Sequence, residues 1–173
     1  GRIGQPIPGK WDPFIVRAFE RLAAENPHVY LLLVGASADV RHAAFRLAKD
    51  VAQRVVLLDM LEDPRQLGAC YSAMDCFLHA ARQGESFGYV LTEALLYGVP
   101  VVTLSRPHRD NAQTEVIRHN VDGLVVRSRA GILQAMRQIM TDGALREKVR
   151  LSGRIGVVER FRMNVVCSQA LAI

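Results

Sequence analysis

The segment Gly84-Glu85-Ser86-Phe87-Gly88-Tyr89-Val90-Leu91-Thr92-Glu93-Ala94-Leu95 places two carboxylates eight residues apart around the start of an expected helix. Carboxylates accept hydrogen bonds from hydroxyls, and the free N–H groups of a helix start hold phosphate. Together they suit a polyhydroxylated, phosphorylated ligand. If Phe87 begins the helix, the N–H groups of Phe87, Gly88, Tyr89 and Val90 lack helical partners. They and the positive end of the helix dipole then make an anion site. Gly88 lets a ligand come close to the backbone. Glu85 lies at the mouth of the site and Glu93 nearly two turns in, so one ligand reaches both only by extending along the helix. A nucleotide sugar extends in this way, with sugar at Glu85, diphosphate at the N–H groups and ribose hydroxyls at Glu93. On spacing alone, a solvated loop residue and a solvated helix residue are the commoner explanation, because glutamates at this separation are frequent.

Such a site needs a strand before it and a helix behind it. Along the chain, short apolar runs alternate with helical patterns, the mark of βαβ units and a mostly parallel sheet. After an opening loop rich in Gly and Pro, Phe14 to Glu25 has apolar residues at helical spacing, and Asn26-Pro27 stops it. Tyr30 to Val34 is a continuous apolar run ended by Gly35, as expected of a buried strand. Asp39 to Val51 reads as one amphipathic helix with Ala43, Ala44, Leu47 and Val51 on one face. Val55 to Leu58 is the next strand. A helix then runs from Pro64 to Met74, with Asp63 as N-cap. Cys76 to Ala80 is a strand, Phe87 to Tyr97 a helix closed by Gly98, and Val99 to Leu104 a strand with Pro100 at its start. A short helix over Thr114 to His119, a turn at Asp122-Gly123 and a strand from Leu124 to Arg127 follow. Helices from Ala130 to Met140, from Ala144 to Phe161 and from Asn164 onward complete the pattern. The expected architecture is α/β: a Rossmann-like, doubly wound parallel sheet flanked by helices, one domain over residues 1–173. Because the chain opens on a loop with no strand before it, it is expected to be a piece of a larger protein, cut near a domain boundary.

Residue usage narrows the classes. Half of the 173 residues are apolar and 23% are charged, as in a soluble globular domain with a real core. No apolar run approaches the roughly 18 residues of a membrane span. The opening Gly1-Arg2-Ile3-Gly4 shows no basic-then-apolar leader. Cys70, Cys76 and Cys167 are odd in number and lack metal-ligand spacing, so they read as reduced packing residues of a cytosolic domain. The net charge of +5 fits an anionic ligand, an anionic lipid surface or simply a solvated basic surface. Nucleic acid is not expected: the basic residues are scattered and only 6% of residues are aromatic. There is no G-x-G-x-x-G after an early strand, which argues against a dinucleotide oxidoreductase. Without a G-x-S-x-G turn, Ser37, Asp39 and His42 make no convincing hydrolase triad.

Glu85-Ser86-Phe87-Gly88-x-x-x-x-Glu93-Ala94-Leu95, followed by Tyr97-Gly98-Val99-Pro100-Val101-Val102, resembles the E-x7-E signature of retaining GT-B glycosyltransferases of the group 1, family 4 type. The frame agrees over nearly the whole chain. Gly1-Arg2 with Lys10-Trp11 resembles the family's G-R…K-G phosphate loop, and Tyr30 to Gly35 its strand ending in V-G. Leu67 to Cys76 resembles its L-x-x-x-Y-x-x-A-D segment. Thr114-Glu115-Val116 and Asp122-Gly123-Leu124-Val125 resemble its E-V/I…G-x-L-V ending. The chain departs from the pattern at Ser86 and at Trp11, where the family often has glycine, and in the wide separation of Arg2 from Lys10. It has Asp110-Asn111-Ala112-Gln113 where many members have Gly-Gly.

The resemblance implies the C-terminal, nucleotide-sugar-binding domain of such an enzyme, with the N-terminal acceptor domain lying outside this chain. It implies Glu85 as the residue that contacts donor-sugar hydroxyls and stabilises the reacting centre. Ser86 and the backbone of Phe87, Gly88, Tyr89 and Val90 would hold the sugar or diphosphate, and Glu93 the ribose. Arg2 and Lys10 would neutralise the leaving diphosphate in place of a metal, with no cofactor. Met60 and Leu61 would pack against the base. The expected donor is a UDP-, GDP- or ADP-linked sugar, and the expected acceptor a glycan or lipid-linked one. The expected setting is cytoplasmic, with possible attachment at the inner membrane face. A GT-B-type nucleotide-sugar epimerase and a non-catalytic nucleotide-binding or interaction domain remain alternatives. Outside the motif, His79 ends a strand where open α/β sheets bind ligands, which makes it a candidate sugar contact. His108 sits in an exposed basic loop, and Trp11 reads as a packing or stacking residue.

Overall fold

The computed structural model describes residues 1–171. In chain order its strands are β1 (Arg2–Ile3), β2 (Leu31–Val34), β3 (Val55–Leu58), β4 (Phe77–His79), β5 (Gly84–Glu85), β6 (Val101–Leu104), β7 (Asp110–Asn111) and β8 (Gly123–Val126). The helices are α1 (Phe14–Glu25), α2 (Ala38–Phe45), α3 (Lys49–Ala52), α4 (Pro64–Ser72), α5 (Tyr89–Leu96), α6 (Gln113–Val116), α7 (Arg129–Thr141), α8 (Gly143–Phe161) and α9 (Met163–Leu171).

Two parallel three-stranded ladders, β1-β2-β3 and β4-β6-β8, carry the fold. They meet at β1 and β4, where the Leu78 N–H donates to the Gly1 carbonyl at 2.9 Å. The order across the molecule is therefore β3-β2-β1-β4-β6-β8, the doubly wound arrangement whose winding reverses between β1 and β4. Neighbouring residues of one strand face opposite cores, as period-two geometry requires. Leu33, Leu78 and Val102 join Ile15 and Phe19 of α1 and Ile132 and Ile139 of α7 in one buried cluster. Val34, Phe77 and Val101 join Tyr71 of α4, Leu91 and Leu95 of α5 and Val157 of α8 in the other. A sheet buried on both faces favours apolar residues at most positions, which is why its longer strands read as largely apolar runs; Arg2, His79 and Thr103 are its buried polar members.

Besides the short strands β5 and β7, which the sequence reading lacked, three elements differ from it. The opening segment is not all loop: Arg2 and Ile3 pair with Leu33 and Val34 as β1. Two residues between glycines are too few to show a strand pattern. The single helix expected over Asp39 to Val51 divides into α2 and α3, with an extended Ala48 between them. The Arg46 and Leu47 N–H groups bond three residues back instead of four, which closes the first helix. A straight helix over that span would run about 20 Å, against about 13 Å for a four-residue strand. The break shortens the return to β3. Finally, α5 begins at Tyr89 rather than Phe87, because Gly88 takes the N-cap position at φ +92°.

Candidate functional site

At the carboxyl ends of β1, β3 and β4 lies a cleft of about 290 Å³. Its wall includes Arg2, Gly4, Lys10, Met60, Glu85, Tyr89, Val90 and Glu93. These residues come from several elements. Arg2 is in β1, Lys10 ends the 3-10 turn Pro8–Lys10, Met60 follows β3, Glu85 is in β5, and Tyr89, Val90 and Glu93 belong to α5. This is the crevice beside the reversal of winding, where doubly wound sheets hold ligands.

Glu85 is almost fully buried, and its Oε1 accepts from Lys10 Nζ at 2.7 Å. Its Oε2 lies 3.5 Å from His79 Nε2. Burial pushes its carboxyl upward, but the neighbouring His79 and Lys10 outweigh this and hold it at about 2. It is a carboxylate at neutral pH. His79 is wholly buried, with Nδ1 2.9 Å from Thr103 Oγ1. Burial, then the Arg2 charge, push the imidazole down to about 4, so it is neutral. A buried His79 cannot be the sugar contact that its strand position suggested.

Arg2 is 1% exposed, with its guanidinium carbon 5.4 Å from the Trp11 ring and 5.5 Å from the Phe77 ring. Its Nη2 donates to the Lys10 carbonyl at 3.0 Å, while Nε and Nη1 have no hydrogen-bond partner among the described residues. Burial lowers it to about 10, still charged at pH 7. Trp11 is a packing residue: it is buried, and its Nε1 donates to the Gln5 carbonyl at 2.7 Å.

Glu93 is half-buried and accepts from the Tyr71 hydroxyl through Oε2 at 2.7 Å. Tyr71 is the tyrosine of the Leu67-to-Cys76 segment, so its place in the motif could have marked it as the partner of Glu93. The first turn of α5 is partly used. The Leu91 and Thr92 N–H groups bond the Gly88 carbonyl, whereas those of Phe87, Gly88, Tyr89 and Val90 have no backbone partner among the described residues. Of these four residues, Tyr89 and Val90 line the cleft.

The remaining expected residues fall outside the cleft wall. Leu61 packs into the second core, and Met60 takes the wall position instead, because consecutive residues of an extended segment point opposite ways. Ser86 is exposed. The Phe87 ring turns toward α8, edge-on to Phe161 at 5.5 Å. It lines a larger groove of about 810 Å³ against α8 and α9, whose lining has no carboxylate. Gly88 is buried beneath the start of α5.

Two supports were not visible in the sequence. Glu85 is held by a short parallel ladder in which Gly84 pairs with Asp110 and Glu85 with Asn111, and the Ala112 N–H donates to the Glu85 carbonyl. The segment Asp110 to Ala112 is thus part of the floor under Glu85. Asp12, buried next to Trp11, accepts from Arg106 at 3.0 Å and from Arg129 at 2.9 Å. That cluster ties the segment after the Pro8–Lys10 turn to the loop after β6 and to the first turn of α7. A buried carboxylate of this kind looks like any surface aspartate in a sequence.

Residues 1–142 match the family model described as glycosyl transferases group 1. The chain is 29% identical to a phosphatidyl-myo-inositol mannosyltransferase of Mycobacterium tuberculosis over 180 aligned residues, covering 100% of this chain and 45% of that protein. It thus spans less than half the length of that relative. Among solved structures it resembles Anabaena Alr3699/HepE in complex with UDP-glucose, with TM-score 0.79 and 22% identity, over 98% of this chain and 46% of that one. It also resembles the C-terminal domain of a glycosyl transferase group 1 family protein (LpcC) from Francisella tularensis. There the TM-score is 0.80 at 18% identity, over 94% of this chain and 85% of that one.

Proposed function

This chain belongs to the glycosyl transferases of group 1, and we propose on that premise that its cleft holds a nucleotide-diphosphate sugar whose sugar passes to an acceptor. The observation that carries this reading is the meeting of Arg2, Lys10, Glu85 and Glu93 in one cleft at the strand ends. Glu93, with one oxygen on Tyr71, offers the other to the ribose hydroxyls. The Tyr89 and Val90 N–H groups, at the positive end of α5, face the diphosphate with Lys10, and the buried Arg2 guanidinium adds its positive charge from the floor of the cleft. Met60 lies against the base. Glu85 receives hydroxyls of the sugar.

The nucleotide diphosphate is a leaving group that needs charge stabilisation more than a proton. Arg2, Lys10 and the helix start supply it from the protein, without a metal. The sugar is a hexose-type unit transferred with retention, through an oxocarbenium-like centre whose charge the Glu85 carboxylate offsets. Glu85 acts as a binder and not as a nucleophile. The acceptor, a glycan or a lipid-linked one, is held by a further N-terminal domain of the whole enzyme. That enzyme works in the cytoplasm, including the inner membrane face. UDP-glucose occupies the HepE crystal, which makes uridine the first base to test.

Calorimetry of this chain with UDP, GDP and ADP tests the reading. Binding of one of them at sub-millimolar concentration is expected. A folded sample that binds none at millimolar concentration would sink it.

A further inference from the structure

We propose that His79 is a positioning residue that faces the Glu85 carboxylate with its Nε2–H, the carboxylate selecting this tautomer and the Thr103 hydroxyl behind it anchoring the ring at Nδ1. For what Glu85 then does, the claim rests on the donor-site reading above; the imidazole's own state does not.

His79 closes β4 and pairs in register with Thr103 of β6. The ring lies between two fixed neighbours, Thr103 Oγ1 at 2.9 Å from Nδ1 and Glu85 Oε2 at 3.5 Å from Nε2. At that distance Nε2 has no formed hydrogen bond. Two neutral tautomers are available. With the proton on Nδ1, the Nε2 lone pair would face a carboxylate oxygen across buried space, acceptor against acceptor. With the proton on Nε2, Nδ1 accepts from the Thr103 hydroxyl and Nε2–H points at Glu85. Only the second arrangement is attractive at both ends. A doubly protonated ring is disfavoured by burial and by the charges of Arg2 on β1 and Lys10 on the 3-10 turn.

The two donors facing Glu85 differ in kind. The Lys10 side chain is one-third exposed, while His79 is wholly buried. A phosphate in the cleft competes for Lys10 and cannot compete for His79. When Lys10 turns to phosphate, the imidazole keeps Oε2 in place and leaves Oε1 for a sugar hydroxyl. His79 therefore acts on the sugar half of the ligand and not on the nucleotide half.

The test combines two readouts on this chain. Long-range nitrogen–proton NMR of the imidazole is expected to show the Nε2–H tautomer, with Nε2 shifting in Glu85→Gln. Thr103→Val keeps the side-chain shape and removes the hydroxyl from Nδ1, so the Nε2–H tautomer should persist while the ring loses its anchor. Calorimetry then compares UDP with UDP-glucose, GDP with GDP-mannose and ADP with ADP-glucose. In Thr103→Val and His79→Leu, the nucleotide that binds best should keep its affinity within twofold, while its sugar conjugate loses fivefold or more. An Nδ1–H tautomer in the unmodified chain overturns the proposal, as does equal weakening of nucleotide and conjugate. Failure of every nucleotide to bind would overturn the donor-site reading instead, and the tautomer alone would then decide the role of His79.

Discussion

Glu85 and Glu93 carry the same side chain in opposite settings. Glu85 is buried between a lysine and an imidazole, whereas Glu93 is half-buried on a tyrosine hydroxyl. Burial and Glu93 together push the Tyr71 hydroxyl well above its usual range, so it stays a donor. Replacing Glu93 by Ala should weaken nucleotide binding by roughly 1–3 kcal/mol, the worth of a hydrogen bond to a charged group. Calorimetry with the nucleotide that binds best measures this, and an unchanged affinity would contradict the ribose role. His79 makes stability depend on pH. An ordinary histidine titrates at 6.5 and this one at about 4. As the pH falls through 6.5, the unfolded chain takes up a proton that the folded chain refuses, so stability drops until about pH 4. The full loss is about 3 kcal/mol. Glu85 acts in the window below, from its ordinary 4.5 down to about 2, where its stabilisation is lost as it is protonated. Urea unfolding between pH 7 and 4 should therefore fall more steeply in the natural chain than in His79→Leu. Parallel curves would show that His79 is not the group responsible.

At the scale of elements, the site depends on two glycines with left-handed backbone. Gly84 has φ +82°, and a side-chain carbon there would collide with the Asp110 carbonyl oxygen of β7. Gly84→Ala should cost at least about 1–3 kcal/mol from the backbone strain alone, and it should loosen the ladder that carries Glu85. A urea-derived loss below that range would mean that β5 and β7 tolerate separation. Gly88, at φ +92°, turns the chain into α5 and sets which N–H groups are free. The glycines of the motif are visible in the sequence and so is the helix behind them. The partner of Gly84 is not, because Asp110 lies in a polar loop segment that shows no strand pattern. The long apolar strands and the 3.6-period helices were legible for the opposite reason: their burial imposes a period. The break between α2 and α3 was hidden because both pieces keep one apolar face across it.

For the molecule as a whole, the Asp122 cluster fastens the long α8 to the turn before β8. Buried Asp122 accepts from Arg118 at 2.7 and 2.8 Å and from Arg160 at 2.8 Å. Arg160 also donates to the Val116 carbonyl at the end of α6. Asp122→Ala should cost about 2–3 kcal/mol. Breaking a buried ion pair costs more than a surface one, while both arginines keep some solvent exposure. A urea-measured loss under about 0.5 kcal/mol, the usual effect of surface changes, would show that the cluster adds nothing. If the acceptor site lies on a further domain, as proposed, this chain should bind a nucleotide sugar and transfer it negligibly. Nucleotide released in the presence of candidate acceptors would measure this, and rapid transfer by the chain alone would contradict the two-domain reading.

The sequence by itself determined the α/β class, the order of its principal strands and helices, and a Glu85…Glu93 segment whose pattern resembles the family's. Those features are local or periodic, so burial and capping write them into neighbouring residues. Only the tertiary structure decided that Lys10 meets Glu85, that His79 faces inward with Thr103 behind it, and that Arg2 lies buried between Trp11 and Phe77. The Lys10–Glu85 and Arg2–Phe77 contacts join the two sides of the reversal of winding, and His79–Thr103 joins the neighbouring strands β4 and β6. Spacing along the chain carries no record of that.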